Sequence, residues 1–204
     1  MGKNSSGVRG GLQPNDWDYK GKEPSKTYAL ASIKEPDVYR EVKSAVSRYE
    51  AVLGVRQKSV RLADLPNGHL GVHYTKADTG TSAKILLNRK HFNQKRGDIE
   101  AQTKKGYSSG WTTKTNKPIA HTVTHELAHA TWNSHLKSAS ARAASPKIKK
   151  VYNQWLKDKK SRKYGKYART NVNEFFAETI TKGIHGKSDK YTTALISIVK
   201  SYKL

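Results

Sequence analysis

The chain has 204 residues, no cysteine, and 39 Lys+Arg against 16 Asp+Glu, a formal charge of +23. Without cysteine there can be no disulfide staple and no thiolate ligand, so any metal must be held by histidine and carboxylate. With 35% hydrophobic residues and a mean hydropathy of −0.83, the sequence offers no transmembrane run, and Met1-Gly2-Lys3-Asn4 opens no apolar signal core, so a cytoplasmic or virion-associated location is expected over classical secretion.

Residues 1–34 are rich in Gly, Ser, Lys, Asn and Pro, with isolated aromatics at Trp17, Tyr19 and Tyr28. They read as a flexible N-terminal arm, leaving 35–204 as one domain. Pro36 then opens a helix to about Leu53. Val38, Val42, Ala45, Val46, Tyr49, Val52 and Leu53 recur at helical spacing, and Gly54 stops it. Two β-like runs, Ser59 to Leu65 and His69 to Tyr74, flank Asn67-Gly68, the dipeptide of a hairpin turn. A further strand is expected over Thr81 to Asn88, after the Asp78-Thr79-Gly80 turn. Residues 89–117 read as polar and irregular, with Tyr107 and Trp111 either shaping a wall of the site or covering the core.

Pro118 starts the helix that carries His121 and then His125-Glu126-Leu127-Ala128-His129. Positions four apart share a helix face, so the imidazoles of His125 and His129 can reach one metal ion. Glu126 follows the first of them and can polarise a water without ligating the metal. His121, one turn earlier on the same face, reads as a supporting or solvated residue and not as a ligand. Residues 137–169 then carry twelve Lys and Arg against the single acid Asp158. Ser145-Pro146 reads as the cap and first turn of a helix whose apolar stripe is Ile148, Val151, Tyr152, Trp155 and Leu156. Its lysines form the opposite face, where a nucleic acid or other polyanion is the expected partner.

A further helix, from about Asn171 to Ile184, bears Glu174 and Glu178 four residues apart. One carboxylate can bind metal and the other can buttress a histidine from behind; the residues alone leave open which does which. Phe175, Phe176, Ala177 and Ile180 make the helix apolar, a setting in which carboxylates need a reason to be present. His185 reads as a cation at the C-terminal end of this helix. A last helix, from about Ser188 to Tyr202, turns Tyr191, Leu195, Ile196, Ile198 and Val199 to the core.

Taken together, His125-Glu126-Leu127-Ala128-His129 and Tyr167-Ala168-Arg169-Thr170-Asn171-Val172-Asn173-Glu174-Phe175-Phe176-Ala177-Glu178 resemble the catalytic domain of anthrax lethal factor. They are also similar to the related, smaller Pro-Pro endopeptidases. The resemblance spans about residues 121–185, and the dense lysines between the two motifs depart from it. It implies an α+β, zincin-like metalloprotease fold: a small twisted sheet with an active-site helix and a helical C-terminal half. It implies Glu174 as the third zinc ligand, Glu178 behind a histidine, and Tyr167 pointing into the site to assist the tetrahedral intermediate. It also makes Ile85 to Asn88 a candidate edge strand for an extended peptide, with an interior strand as the rival placement. The expected function is a zinc-dependent endopeptidase, with Zn2+ on His125, His129 and Glu174 and with Glu126 as general base. The alternatives are a basic nucleic-acid-associated structural protein, for example of a virus particle, that retains the metalloprotease fold, and a toxin-like effector with an anion-binding face.

Overall fold

A computed structural model of the chain describes residues 24–56, 59–66, 68–74, 84–134, 138–158 and 164–204. It is a mixed α+β fold, mostly helical, with a small four-stranded sheet. Helix α1 (Pro36–Leu53) forms as its sequence dictates. Pro36 sits in the first turn, Gly54 ends the helix in the left-handed region at φ 71°, and Val38, Val42, Ala45, Tyr49 and Leu53 are buried. Its buried face also sets the position of α4 (Pro118–Ser134). Glu41 of α1 accepts a hydrogen bond from the Ala120 backbone N–H (3.1 Å), so one helix caps the other. Tyr49 donates to the Leu127 carbonyl at 3.1 Å and shares a hydrogen bond with Thr131 Oγ1 at 2.5 Å. From Pro118 to Trp132 every residue of α4 is buried, which makes it the central helix of the fold.

The sheet consists of β1 (Thr27–Tyr28), β2 (Val60–Ala63), β3 (Gly71–Tyr74) and β4 (Lys84–Asn88), in the spatial order β1-β2-β4-β3. β2 and β4 run parallel, with Leu62 opposite Leu87. β1 is antiparallel to β2, and β3 is antiparallel to β4, with Gly71 opposite Leu87. The hairpin expected around Asn67-Gly68 therefore does not form, because β4 lies between the two runs. The reason is burial on both faces. Ile85 and Leu87 join the helical core while Leu86 packs with Ala63, Leu65 and Val72 on the other side, so the most apolar strand takes an interior place. Of the two placements open for Ile85 to Asn88, the interior one is found, for the same reason, and the edge placement is corrected. Among the described residues, β1 and β3 are the outer strands, and β3 lies against α4.

Three further expectations are revised. Residues 89–117 are largely helical, with α2 (Arg89–Phe92) and α3 (Arg96–Ser108). The long basic helix α5 (Ala139–Lys157) begins six residues before Ser145, because Ser138 caps it by accepting from the Ala141 N–H (3.0 Å) and Ala141 and Ala144 extend its buried stripe upstream; Pro146 lies inside it. Of the residues read as an arm, 1–23 lie outside the described residues, whereas Thr27–Tyr28 pairs with β2 and Ile33 is buried. Helices α6 (Val172–His185) and α7 (Lys190–Tyr202) complete the fold, α6 packing between α4 and α7. Among the described residues no helix is long and apolar enough to cross a membrane.

Candidate metal centre

The site forms where α4 and α6 face each other. On α6, Asn171 is the N-cap: its side-chain oxygen accepts from the N–H groups of Asn173 (2.9 Å) and Glu174 (3.0 Å). That cap starts the helix three residues before Glu174, so Glu174 and Glu178 occupy successive turns of the face turned to α4. On α4, His121, His125 and His129 likewise occupy successive turns. All five side chains are buried.

One carboxylate oxygen, Glu174 Oε2, lies 3.2 Å from His125 Nε2 and 3.2 Å from His129 Nε2. The two nitrogens are 2.9 Å apart, and their rings meet nearly edge to face at 79°. With bonds of about 2.1 Å, ligand atoms stand about 3.4 Å apart in a tetrahedral site and about 3.0 Å apart in an octahedral one. The three observed separations lie close to that interval, so His125, His129 and Glu174 could hold a metal ion. The chemistry of the cluster favours one. Among the described residues, neither Glu174 oxygen receives a hydrogen bond from any other group, and a fully buried carboxylate needs a positive partner.

Behind this triangle, Glu178 Oε1 lies 3.2 Å from His125 Nδ1 and 3.2 Å from His121 Nε2. His121 is therefore not solvated: its ring lies nearly parallel to that of His125, at 19° and 6.3 Å between centroids. His121, His125 and Glu178 form a second group that could hold a metal ion.

Burial works against the charged form of every one of these groups, and their mutual contacts decide the outcome. Burial raises Glu174, but His129 and His125 outweigh it and bring it down to about 2. Burial raises Glu178 too, and His121 and His125 drive it well below the usual carboxylate range. Burial lowers His125, yet hydrogen bonds to Glu174 and Glu178 lift it to about 10. His129 is lowered, by burial first. The balance is two ionised carboxylates around one imidazolium, an arrangement that a divalent cation can replace with full charge compensation.

Glu126, next to His125, is buried under strand β3. A Cβ added to Gly71 would lie 2.6 Å from Glu126 Cγ and 2.9 Å from its Cδ, so only glycine lets the strand pass this close. Gly71 is a residue of the site that sequence reasoning missed. Its signal is a glycine inside the strand-like run His69 to Tyr74. Tyr167 lies in a 3-10 turn (Lys166–Arg169), with its ring 5.7 Å from that of His125 and stacked at 23°. Trp111 also packs against it, with 5.6 Å between ring centroids. Two short stretches hold this wall together: Lys166 N–H donates to the Gly110 carbonyl and Tyr167 N–H to the Trp111 carbonyl, each at 2.9 Å. Gly165 permits that approach, since a Cβ there would lie 2.4 Å from the Trp111 oxygen.

His185 is not a capping cation. Burial, followed by the charges of Arg48, His121 and Lys117, lowers it to about 4, and its Nε2 shares a 2.7 Å hydrogen bond with Thr124 Oγ1. Of the basic stretch over 137–169, the exposed faces of Arg142, Lys147, Lys149, Lys150 and Lys157 line α5, while Lys159, Lys160, Arg162 and Lys163 lie outside the described residues. Comparison with protein-family models, with curated proteins and with solved structures gives no match.

Proposed function

We propose that this chain is a zinc-dependent endopeptidase. The observation that carries the reading is the convergence of His125 Nε2, His129 Nε2 and Glu174 Oε2 within 2.9–3.2 Å, with a further buried acid, Glu126, beside them on the same helix. Two imidazoles and one carboxylate are a ligand set of catalytic zinc sites, which keep a fourth position open. The resemblance of residues 121–185 to lethal factor-like metalloproteases, a zincin-like fold, assigns the same residues.

When bound, zinc supplies Lewis acidity and makes water acidic enough to lose a proton near pH 7. Glu126 accepts the proton of the attacking water and later delivers it to the nitrogen of the leaving amine. Tyr167, stacked on His125, donates its O–H to the oxyanion that forms as the carbonyl is attacked; single donors of this kind are worth about 3–4 kcal/mol. Glu178 holds His125 from behind, at Nδ1. The outer strand β3, which passes over Glu126, is the strand along which an extended peptide adds.

A second property accompanies this one. The charge of +23 and the row of exposed cations on α5 support binding of nucleic acid or another polyanion away from the metal centre. They also favour the second reading, a basic nucleic-acid-associated structural protein that keeps a metalloprotease fold. Elemental analysis followed by digestion of a diverse peptide library, with a chelator control, separates the two. One zinc per chain with chelator-sensitive cleavage supports the peptidase; zinc without cleavage transfers the case to the structural protein.

A further inference from the structure

Two histidine–glutamate groups share one residue, His125, whose Nε2 faces His129 and Glu174 and whose Nδ1 faces Glu178 and His121. A neutral imidazole carries one proton, and the nitrogen that carries it cannot bind metal. Occupying both groups at once would require His125 as a doubly deprotonated bridge between two cations.

The geometries of the two groups differ. Around Glu174 Oε2, the two Nε2 atoms close a triangle, with 2.9 Å between them. Around Glu178 Oε1, the two imidazoles approach the same oxygen at 3.2 Å from rings that lie nearly parallel, 6.3 Å apart. In the second arrangement one carboxylate oxygen shares a hydrogen bond with His121 Nε2 and stands within reach of a second N–H donor at His125 Nδ1. The Nδ1 atoms of His125 and His129 are both buried without a well-aligned hydrogen bond, but among the described residues only that of His125 has a carboxylate oxygen beside it, Glu178 Oε1 at 3.2 Å.

We infer that the second group is not a metal site but an orienting chain, His121 to Glu178 to His125, in which His121 is a positioning residue for the metal ligand. His121 donates its Nε2–H to Glu178. Glu178, held in place by that contact, accepts Nδ1–H of His125. That fixes the tautomer of His125 and aims the Nε2 lone pair at the metal. The inference rests on the metal ligation proposed above and not on the protein being a peptidase.

The test is a metal titration of the purified full chain with Zn2+ against a chromophoric competitor, alongside the absorption spectrum of the Co2+-loaded protein. The unmodified chain is expected to bind one equivalent. His121→Leu should still bind one equivalent, about 10–100-fold more weakly, the usual cost of losing an outer partner, with shifted cobalt bands. His121→Gln, whose amide N–H can take the place of Nε2–H, should restore affinity and spectrum. That rescue also separates a lost hydrogen bond from a folding defect. A second equivalent of tightly bound metal that disappears in His121→Leu would overturn the inference, as would unchanged affinity in His121→Leu or a His121→Gln variant as weak as His121→Leu. A chain that binds zinc as expected yet cleaves no peptide overturns the peptidase reading alone.

Discussion

Charge is concentrated in two places that obey opposite physics. Between α4 and α6, three histidines and two glutamates are buried within 3.2 Å contacts, and each ionised carboxylate is matched by an imidazole. Along α5, five cations stand exposed to solvent. The first is a set of specific distances in a low dielectric, where losing one partner strands the others. The second is a field, weakened by salt and insensitive to any one residue. A third case calibrates the first. His91 is buried without a carboxylate, and burial, only partly offset by Gln102, takes it down to about 4, whereas two carboxylates lift the equally buried His125 to about 10. Burial alone removes charge from histidine, and only burial beside acids keeps it.

Removing a partner from the buried cluster should give the largest effect. Glu174→Ala is expected to abolish metal binding, and Glu178→Ala to weaken it by about 10–100-fold, both read from zinc affinity. The reverse order would mean that the ligand and the supporting carboxylate have been exchanged.

His91 gives the next effect. Its pKa is depressed in the folded state to about 4 from an ordinary 6.5. Between those values the unfolded chain binds the proton more readily, so stability present above pH 6.5 is lost as the pH falls toward 4. The full difference is on the order of 3 kcal/mol. Denaturant unfolding at pH 7 and pH 4.5 should show a smaller decrease in His91→Gln than in the unmodified chain. An equal decrease would place the acid sensitivity elsewhere.

How legible these regions are in the sequence follows from the range of the interactions. The face shared by His121, His125 and His129, and that shared by Glu174 and Glu178, are local helical periodicities, and α1 follows from Pro36, its apolar stripe and Gly54. The strand order is not local: nothing between Ser59 and Tyr74 states that β4 will separate β2 from β3, since that outcome depends on burying Leu86 and Leu87 on opposite faces. Helix α3 is hidden because only Ile99 and Gly106 of it are buried, which leaves almost no apolar stripe to detect. The start of α5 is obscured by Pro146, a residue that fits a first turn better than the interior it occupies. The charge of His185 depends on neighbours from α1 and α4.

Gly71 joins the two levels, a backbone feature of the sheet acting on a side chain of the buried centre. Gly71→Ala should leave zinc bound while displacing Glu126, and a misplacement of about 1 Å can cost on the order of 100-fold in kcat. Loss of zinc in this variant would instead locate the damage in α4 itself. The smallest effect belongs to the exposed face. Replacing Lys147, Lys149, Lys150 and Lys157 with Gln should reduce the salt dependence of DNA or RNA binding, each lost phosphate contact lowering the logarithmic slope by about 0.7–0.9. Peptidase activity should be unchanged. An unaltered slope would return α5 to an ordinary solvated surface.

The central claim turns on Glu126, the one acid of the cluster assigned to chemistry and not to metal. In Glu126→Gln the shape of the side chain is retained, but its capacity to accept the proton of water is lost. The expected result is one zinc per chain, as in the parent, with library cleavage reduced by about 10²–10⁴-fold. Tyr167→Phe, assayed beside it, should show a smaller loss confined to kcat. A Glu126→Gln protein that keeps its zinc and cleaves as fast as the parent would contradict the account.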